Sequence, residues 1–326
     1  MSQQASVAAN GDVLRADVAT ADPDDRPELR TTEISKRPGA IQRLRDVWRY
    51  RELLGNLVRK ELKVKYKDSI LGFLWTLLNP ALQLIVYSFA FGVLFKSPIP
   101  LFAIFFICGL LPWTFFTSAL TSGSSSVVAN AQLVNKVWFP REILPLASIG
   151  AALVHWFLQS IVLVVALFVV QRSPDWAYLP LLIPAVLVLV TFSAALGIML
   201  SAINVYLRDT QHLLELVMLA WFWATPIVWN YPLIGERLTE NGLPFYLVFI
   251  NPITPIIATF QRALYHEWVW SGTRIIDGNK ITGIVPEGSV WWYLRNLTIV
   301  GVGAVLLLWV ALHIFGRLED NFGEEI

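Results

Sequence analysis

Between Arg43 and Lys67 the chain carries nine basic residues against three acidic ones, and from Ile70 it runs without a charge as far as Phe95. A cationic stretch that leads directly into a hydrocarbon-compatible run belongs at a bilayer interface. Set on a helix, Leu44, Val47, Trp48, Leu54, Val58 and Leu62 share one stripe, while Arg45, Arg49, Lys60, Lys63 and Lys67 fall largely opposite. This pattern predicts an amphipathic interface helix over residues 41–68, lying along the membrane and turning into a span. More than half of the Lys and Arg residues precede the first apolar run. Such residues are retained on the cytoplasmic side, so the N-terminus is expected inside.

A hydrophobic fraction of 56%, only 15% charged residues and a mean hydropathy of +0.57 exclude an ordinary soluble domain. The net charge of +1, with its cations gathered beside the apolar run, gives no footprint for nucleic acid. Cys108 is the single cysteine, which leaves no intrachain disulfide and no Cys-x-x-Cys redox or metal site. Residues 1–40 are rich in Ala, Asp, Arg and Pro, lack an apolar segment of their own, and are expected to form a cytoplasmic tail without fixed structure.

Crossing a bilayer takes about 20 apolar residues of helix. Six stretches satisfy this: Gly72–Phe95, Leu101–Thr121, Ile143–Val170, Ala177–Asn204, Leu213–Asn230 and Arg295–Phe315. The sequence thus predicts an all-α membrane domain of six transmembrane helices over residues 69–316, with a cytoplasmic tail over 317–326. An inner connector over 122–142 and a long external one over 231–294 stand out. Within the external one, Leu243–Leu264 is apolar but interrupted by Asn251-Pro252-Ile253-Thr254-Pro255. Proline removes backbone donors and disfavours helix just before itself, so this segment reads as two short re-entrant helices, with two further full spans as the competing reading.

The sequence has no GxxxxGK[ST], HExxH or GxSxG motif, so it offers no catalytic residues and no recognisable route to ATP hydrolysis. The four histidines are too dispersed for a metal-ligand spacing. His155 and Gln159, at i and i+4 in the third span, are expected to form a polar pair. Phe102, Phe105, Phe106, Gly109, Trp113 and Phe116 fall on one helix face, and Tyr87, Phe91 and Phe95 repeat at i+4 in the first span. These stripes serve either helix packing or an aromatic path whose flat rings let sugar faces slide. Arg208, Asp209, His212 and Glu215 mark the inner end of the fifth span, as a capped helix end or as a charged lock between partners. In the inner connector, Ser122-Gly123-Ser124-Ser125-Ser126 is expected to end the second span. A short helix exposing Val134, Val137, Trp138 and Phe139, flanked by Lys136 and Arg141, then suits a soluble partner or the lipid surface.

The run Leu53-Leu54-Gly55-Asn56-Leu57-Val58-Arg59-Lys60-Glu61-Leu62-Lys63-Val64-Lys65-Tyr66-Lys67, with Ser69–Trp75 and Asn79-Pro80 behind it, resembles the opening of ABC-2 type polysaccharide exporter permeases. Phe139-Pro140-Arg141-Glu142-Ile143-Leu144-Pro145, Asn204–Asp209 and Thr225-Pro226-Ile227 resemble later pieces of the same family. The likeness extends over about residues 43–320 and looks most like actinobacterial galactan exporters. It implies a permease for polyprenyl-linked glycans such as O-antigen, teichoic acid or galactan, in the bacterial inner membrane. It further implies two copies paired with two separate ATPase subunits, which would hold the ATP and Mg. In that scheme the 122–142 loop couples to the ATPase through Val134, Lys136, Trp138, Phe139 and Arg141, and residues 243–294 form external gate helices. Arg59, Lys60, Lys63 and Lys65 are then placed to attract a lipid pyrophosphate, or simply to anchor the chain on anionic lipid. A membrane enzyme acting on lipid-linked sugars and an ion-coupled transporter are the competing classes. The first lacks a convincing carboxylate cluster, and the second has only His155 near the midplane.

Overall fold

A computed structural model of the chain describes residues 39–67, 74–97, 99–231, 238, 240–265, 273–276, 279–282 and 284–325. The tail expected over residues 1–40 lies almost wholly outside them, as does the junction at 68–73.

Two helices, α1 (Ala40–Arg49) and α2 (Arg51–Tyr66), open the described fold and break at Tyr50. Next come α3 (Leu74–Tyr87), prolonged by a π-helical stretch Ser88–Leu94, and α4 (Phe102–Ala129). A one-turn-and-a-half helix α5 (Ala131–Lys136) leads to α6 (Ile143–Val169), and a 3₁₀ turn at Leu179–Leu181 opens α7 (Leu182–Tyr206). The rest comprises α8 (Thr210–Trp223), a 3₁₀ turn Phe245–Ile250, α9 (Ile253–Leu264), a hairpin of β1 (Thr273–Ile276) and β2 (Asn279–Thr282), α10 (Val290–Leu318) and α11 (Phe322–Glu325). The hairpin is antiparallel, with Ile276 opposite Asn279, and no alternating run had marked it in advance.

Among the described residues five helical stretches are long and apolar enough to cross a membrane: Leu74–Leu94, Phe102–Ala129, Ile143–Val169, Leu179–Tyr206 and Val290–Asn321. The chain is therefore a multi-pass, helical membrane protein. The fifth predicted stretch, Leu213–Asn230, behaves differently. Its helix α8 stops at Trp223 after 14 residues, about 21 Å of rise against a hydrocarbon core of about 30 Å. Thr225-Pro226 explains the stop, because a proline ring crowds the helical conformation of the residue before it.

Helix α4 is the hub, packing on α6 and α7 along its length, with α3, α8 and α9 against its remaining faces. The α4–α7 crossing is close because both helices present glycine there: a Cβ on Gly123 would lie 3.5 Å from the Gly197 Cα. Helix α4 also runs two turns further than expected. Ser122, Ser124, Ser125 and Ser126 stay helical by donating their hydroxyls to carbonyls three or four residues back.

At the end far from α1, α9 is buried almost all round. Asn251 accepts from the Ile253 amide at 3.1 Å and from Trp221 Nε1 at 2.9 Å, and its own amide donates to Thr225 Oγ1 at 2.9 Å. Gln261 Nε2 donates to the Pro226 carbonyl at 3.0 Å. On its other side Arg262 pairs with Asp175 at 2.8 Å and lies 3.8 Å over the Tyr178 ring. Helix α9 is thus bolted both to the end of α8 and to the α6–α7 connector.

Candidate functional site

The chemistry-bearing residues collect at the α1–α2 end, in two clefts on either side of the junction with α4, α6 and α10. The first cleft, about 350 Å³, is lined by the loop 134–142 together with Arg43, Asp46 and Glu319. In it Trp138 is 83% exposed and Val137 and Lys136 are exposed beside it. Val134 and Phe139, expected on the same outward surface, are instead buried. They sit in a second hydrophobic core with Val127, Ile143, Phe315 and Phe322, so they anchor the loop whose tip Trp138 presents.

Beneath that loop lies a buried ionic knot that the sequence did not announce. Arg43 Nη1 donates to Glu142, at the head of α6, and Nη2 donates to Glu319 Oε1 at 2.6 Å, just past α10. Burial works against the Arg43 charge, yet the hydrogen bonds it donates to Glu319 and Glu142 prevail and raise its pKa above the ordinary value. Gly316 makes the room, since a Cβ there would come within 2.6 Å of the Arg43 guanidinium. Arg141 adds a bond to the Glu319 carbonyl and faces the Phe322 ring. Within the expected tail over 317–326, the described residues 317–325 fold back on the helices: Phe322 is fully buried and Tyr206 donates to the Leu318 carbonyl at 2.7 Å.

The burial of Arg43 also fixes how α1 faces outward. Arg43 and Val47 point into the fold, while Ile41, Leu44 and Trp48 are exposed. Leu44 and Trp48 thus do not share the buried face with Val47, because the inward-turned edge of α1 is the one that carries Arg43.

The second cleft, about 530 Å³, lies between α2, α4 and α6. Of the four cations expected to meet a lipid pyrophosphate, Lys60 and Lys65 line it, and Arg59 and Lys63 are exposed elsewhere on α2. Lys60 Nζ donates to Asn130 Oδ1 at 2.9 Å and Ser148 donates to Glu61 at 2.9 Å. Deeper in, the Tyr66 hydroxyl meets His155 Nδ1 at 2.7 Å, and Thr114 donates to Gln159 Oε1 at 3.4 Å. His155 and Gln159 thus share the cleft through separate partners, a tyrosine on α2 and a threonine on α4. The spacing of Thr114, Ser118, Thr121 and Ser122 on one face of α4 was the available signal for this cleft.

The aromatic ladder is placed differently. Phe105, Phe106 and Phe116 are fully buried, and Phe102 and Trp113 nearly so. Tyr87 stacks on Phe106 with centroids 4.6 Å apart, Phe91 on Phe102 at 5.4 Å, and Phe222 and Trp221 of α8 close on Trp113 at 5.8 Å and Phe116 at 5.2 Å. Helices α3 and α8 therefore cover the ring-bearing face of α4, and their own far sides, with Ile85, Phe89 and Val93 on one and Leu213, Leu216 and Val217 on the other, are bare. Arg208, Asp209, His212 and Glu215 are all exposed around the start of α8, and among the described residues no ion pair joins them. Among the described residues no group of three His, Cys, Asp or Glu side chains gathers that would hold a metal ion.

A bundle of long apolar helices, entered from a basic surface helix, defines an integral membrane protein. Residues 52–265 match the ABC-2 type transporter family, and the chain belongs to it. It is 32% identical over 286 residues to an O-antigen export system permease protein (RfbA) of Myxococcus xanthus, an alignment covering 88% of this chain and all of that one. An O-antigen export system permease protein of Klebsiella pneumoniae is 33% identical over 84% of this chain and 94% of its own length. A polysialic acid transport protein (KpsM) of Escherichia coli is 20% identical over 67% of this chain and 83% of its own.

Proposed function

We propose that this chain is the membrane-spanning subunit of an ATP-driven exporter that carries a lipid-linked polysaccharide out of the cytoplasm across the bacterial inner membrane. O-antigen, teichoic acid and galactan chains on a polyprenyl pyrophosphate are the substrate class, O-antigen being named for the relatives above and teichoic acid and galactan resting on the resemblance read in the sequence alone. Two copies form the conduit, and two cytoplasmic ABC ATPase subunits bind ATP and Mg. The basic helices α1 and α2 then lie on the cytoplasmic face with both termini, α8 with the residues after it makes the sixth span, and α9 is an external gate element.

The observation that carries this reading is the exposed Trp138 on a loop whose roots are buried. A large ring held out at the basic end, with Lys136 and Arg141 beside it, suits a docking pocket on a soluble partner. Arg43 links the same loop to α1 and α10, so a push on Trp138 reaches two further elements. With α3 and α8 closed over the α4 rings the path is shut, and their withdrawal would line it with Tyr87, Phe91, Phe102, Phe105, Phe106, Trp113 and Phe116. Arg208, Asp209, His212 and Glu215, exposed and unpaired with one another, are available to exchange partners as α8 moves.

Depleting the chain from cells tests this reading: lipid-linked glycan accumulates on the cytoplasmic side, and an ATPase subunit co-purifies with the wild-type chain but poorly with Trp138→Ala. Export that continues without the chain, or with a hydrolysis-dead ATPase, overturns it.

A further inference from the structure

The geometry points to the cleft between α2, α4 and α6 as a binding site for the glycan-phosphate end of the cargo, with Lys60 at its mouth for phosphate and a hydroxyl row inside for the first sugars. This inference rests on the exporter reading and assigns the loading site within it. At about 530 Å³ the cleft falls in the range of small-molecule sites, about 300–1,000 Å³.

Its inner wall is chemically unusual for a spanning helix. Thr114, Ser118, Thr121 and Ser122 occupy one face of α4, and Ser118 and Thr121 are exposed. Hydroxyls bared to lipid leave hydrogen bonds unmade at a cost, so this face is suited to water or a polar ligand. The direction of their bonds narrows the ligand further. Thr121 donates to the Thr117 carbonyl, Ser122 to Ser118 at 2.6 Å and Thr114 to Leu111 at 2.9 Å. With those protons committed to the helix backbone, the Thr114, Thr121 and Ser122 oxygens offer the cleft their lone pairs. Such acceptors pair with sugar O–H donors.

Donors stand where a phosphate would come to rest. Lys60, steadied by Asn130, has further N–H bonds to give, and Lys65 follows further along α2 toward His155. Glu61 also lines the cleft but is engaged by Ser148. From Asn130 to the level of Thr114 the rise along α4 is about 24 Å, so the mouth and the sugar-binding wall are separated along the expected path rather than superposed. At the deep end the Gln159 carbonyl lies 3.4 Å from the Thr114 hydroxyl, and its amide is a donor for a sugar oxygen.

The test uses the full chain in phosphatidylcholine nanodiscs and two photoreactive probes: a short polyprenyl pyrophosphate disaccharide with a diazirine on the sugar, and a sugar-free polyprenyl pyrophosphate. The sugar probe is expected to label peptides carrying Ser118–Ser122 and Gln159. Thr121→Val with Ser122→Ala should weaken it at least tenfold while sparing the sugar-free probe, and Lys60→Gln should weaken both. If that double variant does not fold, Gln159→Leu carries the same expectation. Equal behaviour of the two probes in the hydroxyl variant overturns the sugar wall, and full displacement by phosphatidylglycerol makes the cleft a headgroup site and overturns the proposal. Depletion that causes glycan to accumulate while the sugar probe fails to label the cleft refutes only this site; depletion without accumulation refutes the exporter reading itself.

Discussion

Arg43, in the first turn of α1, and Glu142, at the head of α6, form a buried ion pair across 99 residues of sequence, and Glu319 closes it from beyond α10. Removing one member leaves the other charge in a site with little water. Arg43→Met should therefore destabilise the chain by about 3–5 kcal/mol, read as a lowered thermal midpoint in detergent. Arg43→Met combined with Glu142→Met should recover much of that loss, because Glu319, at 20% side-chain exposure, can turn to solvent. Equal stability of the single and double variants would show that Glu142 left without Arg43 is not a stranded charge.

Gly316 tests the same knot from its other side. A methyl group there meets three guanidinium atoms at 2.6–2.8 Å, all fixed by carboxylates. Gly316→Ala should cost about 1–3 kcal/mol by displacing a bonded side chain. Gly197→Ala makes a contact nearly as short, 2.9 Å, but with the free tip of Ile149, which can swing aside. Thermal unfolding of the two variants should rank Gly316→Ala well below Gly197→Ala.

Trp138 should separate stability from coupling. At 83% exposure it contributes little to the fold, so Trp138→Ala should shift stability by no more than about 0.5 kcal/mol. Co-purification of the ATPase and export should both fall. Phe139→Ala, next in sequence but buried, should instead lower stability by about 3–5 kcal/mol, and comparing the two unfolding curves checks the assignment.

Asn251 is the fastening between α8 and α9. It takes a proton from Trp221 and gives one to Thr225, so Asn251→Ala strands both partners at a cost of about 1–3 kcal/mol. Hydrogen exchange in Ile253–Leu264 should quicken in that variant while α6 and α10 remain protected.

Periodicity and hydropathy located α4, α6, α7 and α10 because those signals are local and each helix is long. The same signals misjudged both ends of what they found. The serines after Thr121 read as a loop, since serine competes for backbone bonds, yet here each one bonds its own helix and prolongs it. Helix α8 read as continuous as far as Asn230 because hydropathy ignores the backbone effect of Pro226. Arg43 read as one more surface cation, and nothing within 90 residues of it reveals two carboxylate partners. The aromatic face of α4 was legible as a face; what covers it was not, since that depends on α3 and α8 arriving from distant segments.

The covering changes how the aromatic path must be tested. Phe116 stacks on Phe192 at 5.7 Å and meets Trp221 edge-on, with no exposed surface. Truncation to alanine would cost about 3–5 kcal/mol in the core, so lost export would report only lost protein. Phe116→Leu keeps most of the apolar volume and removes the ring, at a cost below about 1.5 kcal/mol if the core repacks. The path reading expects this variant to accumulate normally in the membrane and to retain ATPase association while exporting glycan several-fold more slowly. Tyr87→Leu, on the covering side of the stack, should act in the same direction. Unchanged export from both variants, at unchanged membrane levels, would reduce the ladder to packing and leave the conduit to be lined by other residues.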